Sequence, residues 1–313
     1  MLGFWNKHMN FNGMNVLITG GASGLGKELA TLFVLRGASV TILARTKSKL
    51  ESATSELQAK CKTQGQRIDY IAIDLTDHEA VEKALNERSC VPDIVICSAG
   101  GARHENGYFV DLTPKQVNDC MANNYVTAFS TSQICLRLWL KSKRPSHPRH
   151  IVFVSSTAAF VGVPGYAAYT ASKVAVRVLA DTLRQELLMY GGKDAFQVHC
   201  AFPGTFVSDA LLDGLGDKPE LTKQMEGLQD SAEVAKKFLS CEEVAKRILR
   251  GLENGEFMIT VDLEGRALLN NMRGPSPRDY GFVDSVLGIV TPIIWSVYRR
   301  AFDRMAGEYG ARS

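Results

Sequence analysis

Val16-Leu17-Ile18 runs without a break into Thr19-Gly20-Gly21-Ala22-Ser23-Gly24-Leu25-Gly26, and a helical pattern follows over residues 25–36. A short apolar run ending in a glycine-rich turn that opens a helix is the start of a βα unit. Such a turn lets backbone N–H groups and the helix N-terminus meet a pyrophosphate, because glycine permits close approach and unusual backbone angles. Gly20, Ala22, Ser23, Gly24, Leu25 and Gly26 are therefore the predicted phosphate-binding positions. Their spacing is T-G-x-x-x-G-x-G, not the generic G-x-G-x-x-G, so the reading rests on the strand before the turn and the helix after it.

The same alternation continues outward. Val40–Leu43, Ile71–Ile73, Ile94–Ile96, Ile151–Val154 and Val198–Ala201 are short apolar runs suited to strands buried on both faces. Helical patterns lie between them near residues 47–62, 78–88, 115–140 and 167–190. With right-handed crossovers this gives an α/β fold, a doubly wound parallel sheet of Rossmann type in a single domain. We place that domain at residues 13–262, between an N-terminal tail (1–12) and a hydrophobic C-terminal appendage (263–313).

Among 313 residues, 45% are hydrophobic and 22% charged, which suits a globular core and argues against wholesale disorder. Thirty-six Lys and Arg against 33 Asp and Glu leave a charge of +3, so no electrostatic case for nucleic acid exists. Seven scattered cysteines, never spaced C-x-x-C, predict neither a disulfide framework nor a metal site. With no secretory signal recognisable, the thiols are expected to be reduced, mostly buried, and in contact with the cytosol.

Arg273-Gly274-Pro275-Ser276-Pro277 reads as a hinge, and from Ser285 to Tyr298 no residue is charged. Fourteen helical residues reach only about 21 Å, short of a bilayer core of about 30 Å. Pro292 is expected to interrupt the run, and Arg299, Arg300 and Arg304 follow it. Interfacial or re-entrant membrane contact fits better than a span; packing on the core or on a second copy is the alternative. Leu2, Phe4 and Trp5 offer a second apolar foothold.

The second strand ends near Ala44, where an NAD enzyme usually carries a carboxylate for the ribose 2′-hydroxyl. Here Arg45 comes next, with Lys47 and Lys49 behind it. A guanidinium can pair bidentately with a 2′-phosphate, which predicts NADP(H); the alternative is a solvated helix start. Asp74 and Leu75, after the third strand, would line an adenine pocket, unless Asp74 is a helix cap. Ser98-Ala99-Gly100-Gly101 would pass beneath the nicotinamide ribose, or be an ordinary turn.

Tyr169-Thr170-Ala171-Ser172-Lys173 opens a predicted helix, and residues four apart share one face, so the phenol and the ammonium can point into one cleft. A free Tyr has a pKa of about 10. Lys173 is expected to favour the phenolate and draw Tyr169 toward the working range. Ser156, thirteen positions earlier, can hold a carbonyl oxygen.

Together with Asn124 and Pro203-Gly204, these pieces resemble the short-chain dehydrogenase/reductase family over most of residues 13–262. The resemblance implies that Tyr169 is the general acid in reduction, Ser156 orients the carbonyl, Lys173 also holds the nicotinamide ribose, Asn124 completes a proton relay, and Pro203 and Gly204 support the carboxamide side. From the residues alone, Asn124 is equally a cap or a core polar group. Cys97-Ser98 departs from the Asn-Asn common in the family and puts the hydrogen bonding at that strand end in question. Cys97–Ala102, Ser155–Ala159, Arg45 and the apolar appendage are similar to members that use NADPH to reduce a long-chain lipid ketone. Those members sit at the endoplasmic reticulum membrane with the catalytic domain toward the cytosol. The family also implies a homodimer or homotetramer. Steroid or retinoid reduction, or a non-catalytic NADPH-binding module, are the rival readings. Phe206, Leu211, Leu212, Leu215 and Met225 would form an apolar lid or simply cover the core.

Overall fold

The computed structural model describes residues 9–310 except 89, 103, 104, 144 and 146; the expected foothold at Leu2, Phe4 and Trp5 lies outside the described residues. Strands β1 (Asn15–Thr19), β2 (Ser39–Ala44), β3 (Ile68–Ala72), β4 (Ile94–Cys97), β5 (Arg149–Val154) and β6 (Phe196–Phe202) alternate with helices. These helices are α1 (Gly24–Leu35), α2 (Lys47–Gln58), α3 (His78–Asn86), α4 (Pro114–Met121), α5 (Thr127–Lys141) and α6 (Ala167–Met189). Two-residue strands β7 (Phe206–Val207) and β8 (Leu239–Ser240) enclose short helices α7 (Asp209–Asp213), α8 (Glu220–Glu226) and α9 (Ser231–Lys237). Then come α10 (Cys241–Glu253), β9 (Met258–Thr260), α11 (Leu263–Met272) and α12 (Gly281–Gly310).

The main sheet has the order β3-β2-β1-β4-β5-β6-β9, and every pairing is parallel. Strand order reverses between β1 and β4, which opens a crevice at their C-terminal ends. β4 and β5 are buried at every position, as strands covered on both faces must be. One apolar cluster joins Ile18, Phe33, Leu50 and Ile248; the opposite face joins Leu17, Trp139, Phe153 and Phe202. Phe11 belongs to the first cluster, edge-on to Phe33 at 5.1 Å, and Met9 packs against that cluster, so packing begins four residues before the expected domain start.

Caps explain where several helices begin. Thr113 and Gln116 form a capping box with Pro114 at the first helical position of α4, and Asp77, Ser240 and Asp262 cap α3, α10 and α11. Between α4 and α5 the chain passes through a π turn at Ala122–Val126, one wide turn inside an otherwise continuous helical path.

The C-terminal segment differs from expectation. Pro292 does not interrupt it: α12 is one helix of 30 residues, about 45 Å long. Proline removes one N–H, the donor to Gly288, but tertiary contacts on both sides of it hold the helix. Its buried stripe carries Asp284, Thr291 and Trp295, and Tyr309 lies 6.1 Å from the ring of Tyr108. Arg273 is no free hinge either. It donates to Asp284 at 3.0 Å and to the Pro277 carbonyl at 2.9 Å, while Ser276 donates to Asp181 of α6 at 2.6 Å. On the opposite face Phe282, Ile289, Ile293 and Val297 are 83%, 72%, 69% and 65% exposed. Among the described residues there is thus one long apolar helix, by length and composition able to anchor the chain to a membrane.

Candidate active site

Ser156 stands two residues beyond β5 in extended backbone, its hydroxyl accepting from Ala158 N–H at 3.1 Å to cap a single 3-10 turn. Tyr169 is the third residue of α6, and its phenol hydrogen-bonds the Ser156 hydroxyl. Lys173 follows one helical turn later, buried, donating to the Val154 carbonyl at 3.1 Å, with Nζ 5.6 Å from the Tyr169 ring centroid. The three side chains read from sequence therefore meet at the C-terminal end of β5.

Their electrostatics depart from the expectation. Burial pushes the Tyr169 phenol up to about 12, and the Ser156 hydrogen bond offsets only part of that. Glu226 and Cys120 add to the rise. Lys173 does not draw the phenol down, because its ammonium lies toward the ring face and is tied to the Val154 carbonyl rather than to the hydroxyl. Burial in turn lowers Lys173 to about 8. Tyr169 is a protonated phenol at neutral pH, suited to give a proton.

Asn124 occupies the π turn and is buried. Its Nδ2 donates to the Gly101 and Cys120 carbonyls, both at 2.9 Å, and its Oδ1 accepts from Gly101 N–H at 2.8 Å. The amide clasps the loop after β4 and holds Ala99 and Gly100 at the crevice floor. Ser98 resolves the question raised by its departure from Asn: its hydroxyl donates to the Thr19 carbonyl at 2.5 Å, and Thr19 Oγ1 accepts from Ser98 and Ala99 N–H, both at 3.1 Å. A serine thus ties β4 to β1 where they part.

The glycine-rich turn opens into that crevice. Gly24 takes φ +53°, and Ser23 makes no side-chain cap for α1, whose first turn holds no acid. At Gly26 a Cβ would collide with the Gly20 carbonyl, so only glycine lets the turn close. Ala22 and Leu25 pack against the first apolar cluster and fix the turn from beneath. Arg45 and Lys49 are exposed, with no ion pair among the described residues, whereas Lys47 pairs with Glu51 at 3.8 Å. Asp74 is not a helix cap: it accepts from Thr76 N–H and Oγ1 at 2.9 and 2.8 Å, and these bonds with nearby Arg45 hold its carboxyl below the usual range. Leu75 turns its side chain into the second cluster. The Pro203 carbonyl accepts from Thr157 N–H at 3.0 Å, which sets Gly204 beside the Ser156 turn.

Residues 14–213 match the family model described as short chain dehydrogenase. The chain belongs to that family. Among the relatives of this short-chain dehydrogenase, a fusion protein of Schizosaccharomyces pombe that includes a 3-ketodihydrosphingosine reductase is 34% identical over 309 residues. That match covers 98% of this chain but only 60% of the fusion protein. The 3-ketodihydrosphingosine reductase of Aspergillus fumigatus is 33% identical over 317 residues, covering 94% of this chain and 84% of the relative. A crystal structure of a Burkholderia phymatum short chain dehydrogenase/reductase in complex with NAD superposes with a TM-score of 0.68 at 20% identity, covering 85% and 93% of the two chains. That likeness shows the fold.

In this short-chain dehydrogenase the segment from β7 to β8 folds against Pro164–Tyr166, just before Tyr169. Of the apolar side chains read as a lid, Phe206 packs on the first core cluster and Leu212 is exposed; Leu211, Leu215 and Met225 are half-buried. Three polar residues here escaped the sequence reading: Tyr166, Lys218 and Glu226 form one hydrogen-bonded group at the cleft. The last two are 52 and 60 residues from Tyr166 in the chain, so no local motif announces them.

Proposed function

We propose that this chain reduces 3-ketodihydrosphingosine to dihydrosphingosine with NADPH. The observation that carries the reading is the Ser156–Tyr169–Lys173 cluster at the edge of a nucleotide-type crevice, in a chain alike over nearly its whole length to curated 3-ketodihydrosphingosine reductases. The residues present fit the nucleotide. The uncapped start of α1 with its glycine turn suits a pyrophosphate, and Arg45 and Lys49 suit a 2′-phosphate. Ala99 and Gly100 on one side, with Pro203 and Gly204 on the other, flank the place for its nicotinamide end, and Asp74 with the Leu75 backbone flank that for adenine. When bound, NADPH supplies the hydride.

Ser156 Oγ and Tyr169 Oη hold the ketone oxygen, and Tyr169 donates the proton as that oxygen becomes an alkoxide, a stronger base than the phenolate left behind. Lys173, charged below about 8 and held by the Val154 carbonyl, is left for the nicotinamide ribose, the role that family resemblance gives it. Asn124 keeps the β4 loop in place, and its relay role rests on family resemblance.

The exposed face of α12 supports seating on a membrane, and the lipid substrate supports the endoplasmic reticulum, catalytic domain toward the cytosol. Exposed Phe129 on α5, with Val174 and Val178 on α6, supports self-association as a homodimer or homotetramer.

The test of the reaction is NADPH oxidation with 3-ketodihydrosphingosine beside a steroid and a retinoid carbonyl. Turnover confined to the sphingoid ketone is expected; turnover only with the other two would overturn the assignment. The nucleotide preference has its own test. Arg45→Ala is expected to weaken NADPH by about tenfold to a hundredfold, the worth of a charge-assisted hydrogen bond, with little change for NADH. Equal loss of both, measured by fluorescence titration, would remove Arg45 from the 2′-phosphate.

A further inference from the structure

The group that the sequence reading missed has a composition that the reduction of a simple ketone does not need. Tyr166 Oη donates to Glu226 Oε2 at 2.6 Å, Lys218 Nζ reaches the same oxygen at 2.7 Å, and Lys218 Nζ lies 2.5 Å from Tyr166 Oη. Thr205 Oγ1 donates to the other carboxylate oxygen at 3.4 Å. The side chains of Lys218 and Glu226 are 8% and 16% exposed. Tyr166 stands edge-on to Tyr169 with ring centroids 5.6 Å apart, so the carboxylate is one phenol ring away from the proton donor.

A carboxylate in this place is costly twice over. Withdrawing it from water carries a desolvation penalty that only good pairing offsets. Its charge also makes Tyr169 a weaker acid, the opposite of what proton donation requires. A carboxylate there is useful for receiving a cation. Resting on the proposed reaction, the substrate brings one: the carbon next to its ketone carries an amine, protonated at neutral pH. With the ketone oxygen on Ser156 and Tyr169, ordinary bond lengths place that nitrogen within about 3 Å of the oxygen.

The geometry points to Glu226 as the carboxylate that receives the substrate's ammonium group, with Lys218 holding that position until the substrate arrives. Lys218 is placed to yield. It stands on the turn between α7 and α8 that includes Gly214 and Gly216, so its side chain can swing out while α8 keeps its seat on Thr222 and Leu221, both buried. One cation replaces another, and the buried carboxylate is never left unpaired. The exchange makes Glu226 a specificity residue for 2-amino ketones, with Tyr166 as the positioning residue that fixes its oxygen.

The experiment compares two ketones of the same chain length in NADPH oxidation by the full chain: 3-ketodihydrosphingosine and its analogue lacking the 2-amino group. The wild-type protein is expected to favour the amine in kcat/KM by about tenfold to a hundredfold, the worth of a charge-assisted hydrogen bond. Glu226→Gln keeps the shape and an acceptor for Tyr166, and is expected to abolish that preference through KM, with the deamino ketone reduced at least as fast as before, because the charge that weakens Tyr169 as an acid is gone. Lys218→Met is expected to retain the preference. Equal losses on both ketones in Glu226→Gln would make the cluster a fastening between α8 and the start of α6 and overturn the inference. A wild-type protein that reduces both ketones equally would also overturn it, leaving the reductase reading intact. One that reduces neither would overturn both.

Discussion

Tyr169→Phe is expected to lower kcat/KM about 10²- to 10⁴-fold, the usual worth of a general acid, while nucleotide affinity and the melting temperature stay near those of the parent. The substitution removes one oxygen and little else. The ring that remains keeps its edge-on contact with Tyr166 and stays under the Lys173 ammonium at 5.6 Å from the centroid. Ser156 keeps its own bond from Ala158 N–H, so the turn that carries it is not released. What disappears is the proton for the nascent alkoxide and one of the two groups that hold its oxygen. Tyr166, three residues earlier, cannot stand in. Its hydroxyl is committed to Glu226, and burial with that neighbouring charge pushes its pKa far above the ordinary phenol range. Steady-state kinetics beside a nucleotide titration separates the outcomes. Activity retained in full would remove Tyr169 from proton transfer, and lost nucleotide binding would show that the phenol serves the cofactor.

The parts of this site that sequence could reveal are those whose chemistry is local. A strand, a glycine turn and a helix start lie within a dozen residues, and Tyr169 and Lys173 share one turn of α6, so backbone periodicity alone brings them together. The central strands were legible because both faces are buried. β3 was less so: apolar continuity points to Ile71–Ile73, whereas the strand is Ile68–Ala72. It is the sheet edge, where Asp69 faces water and pairs with Arg88 at 3.2 Å, so its first half alternates and carries no apolar run. Spacing also misled at one point. Residues four apart share a face, but which atoms meet depends on side-chain direction, and Lys173 meets the ring and the Val154 carbonyl instead of the phenol oxygen. The π turn under Asn124 has no compositional mark, and the Tyr166–Lys218–Glu226 group depends on how a long segment folds back over α6.

Replacing Val286, Ile289, Ile293 and Val297 together with Gln is expected to release the protein from phosphatidylcholine vesicles that contain anionic lipid, with the fold intact. α12 is apolar on two faces. The stripe through Asp284, Thr291 and Trp295 is docked on the domain, and the four residues to be replaced line the side left to solvent. A helix held to the domain at both ends lies along a bilayer surface more readily than it crosses one, and exposed Arg299, Arg300 and Arg304 beside the patch favour anionic headgroups. Each side chain is worth about 1.5 kcal/mol when fully buried, so four hold about 6 kcal/mol. Halved for partial immersion, about 3 kcal/mol remains, more than a hundredfold in partitioning. Cutting the helix away is the poorer experiment. Asp284 accepts from Arg273, Arg266, Asn270 and the Tyr280 N–H, and Arg273 is as buried as its partner. A truncation from residue 282 strands that guanidinium without its carboxylate, at a cost of about 3–5 kcal/mol, and confounds lost anchoring with lost stability. The four-residue variant leaves the ion pair untouched. Sedimentation with vesicles as before would reassign the exposed face to contact with a second copy of the chain, which a larger elution volume of the same variant would register.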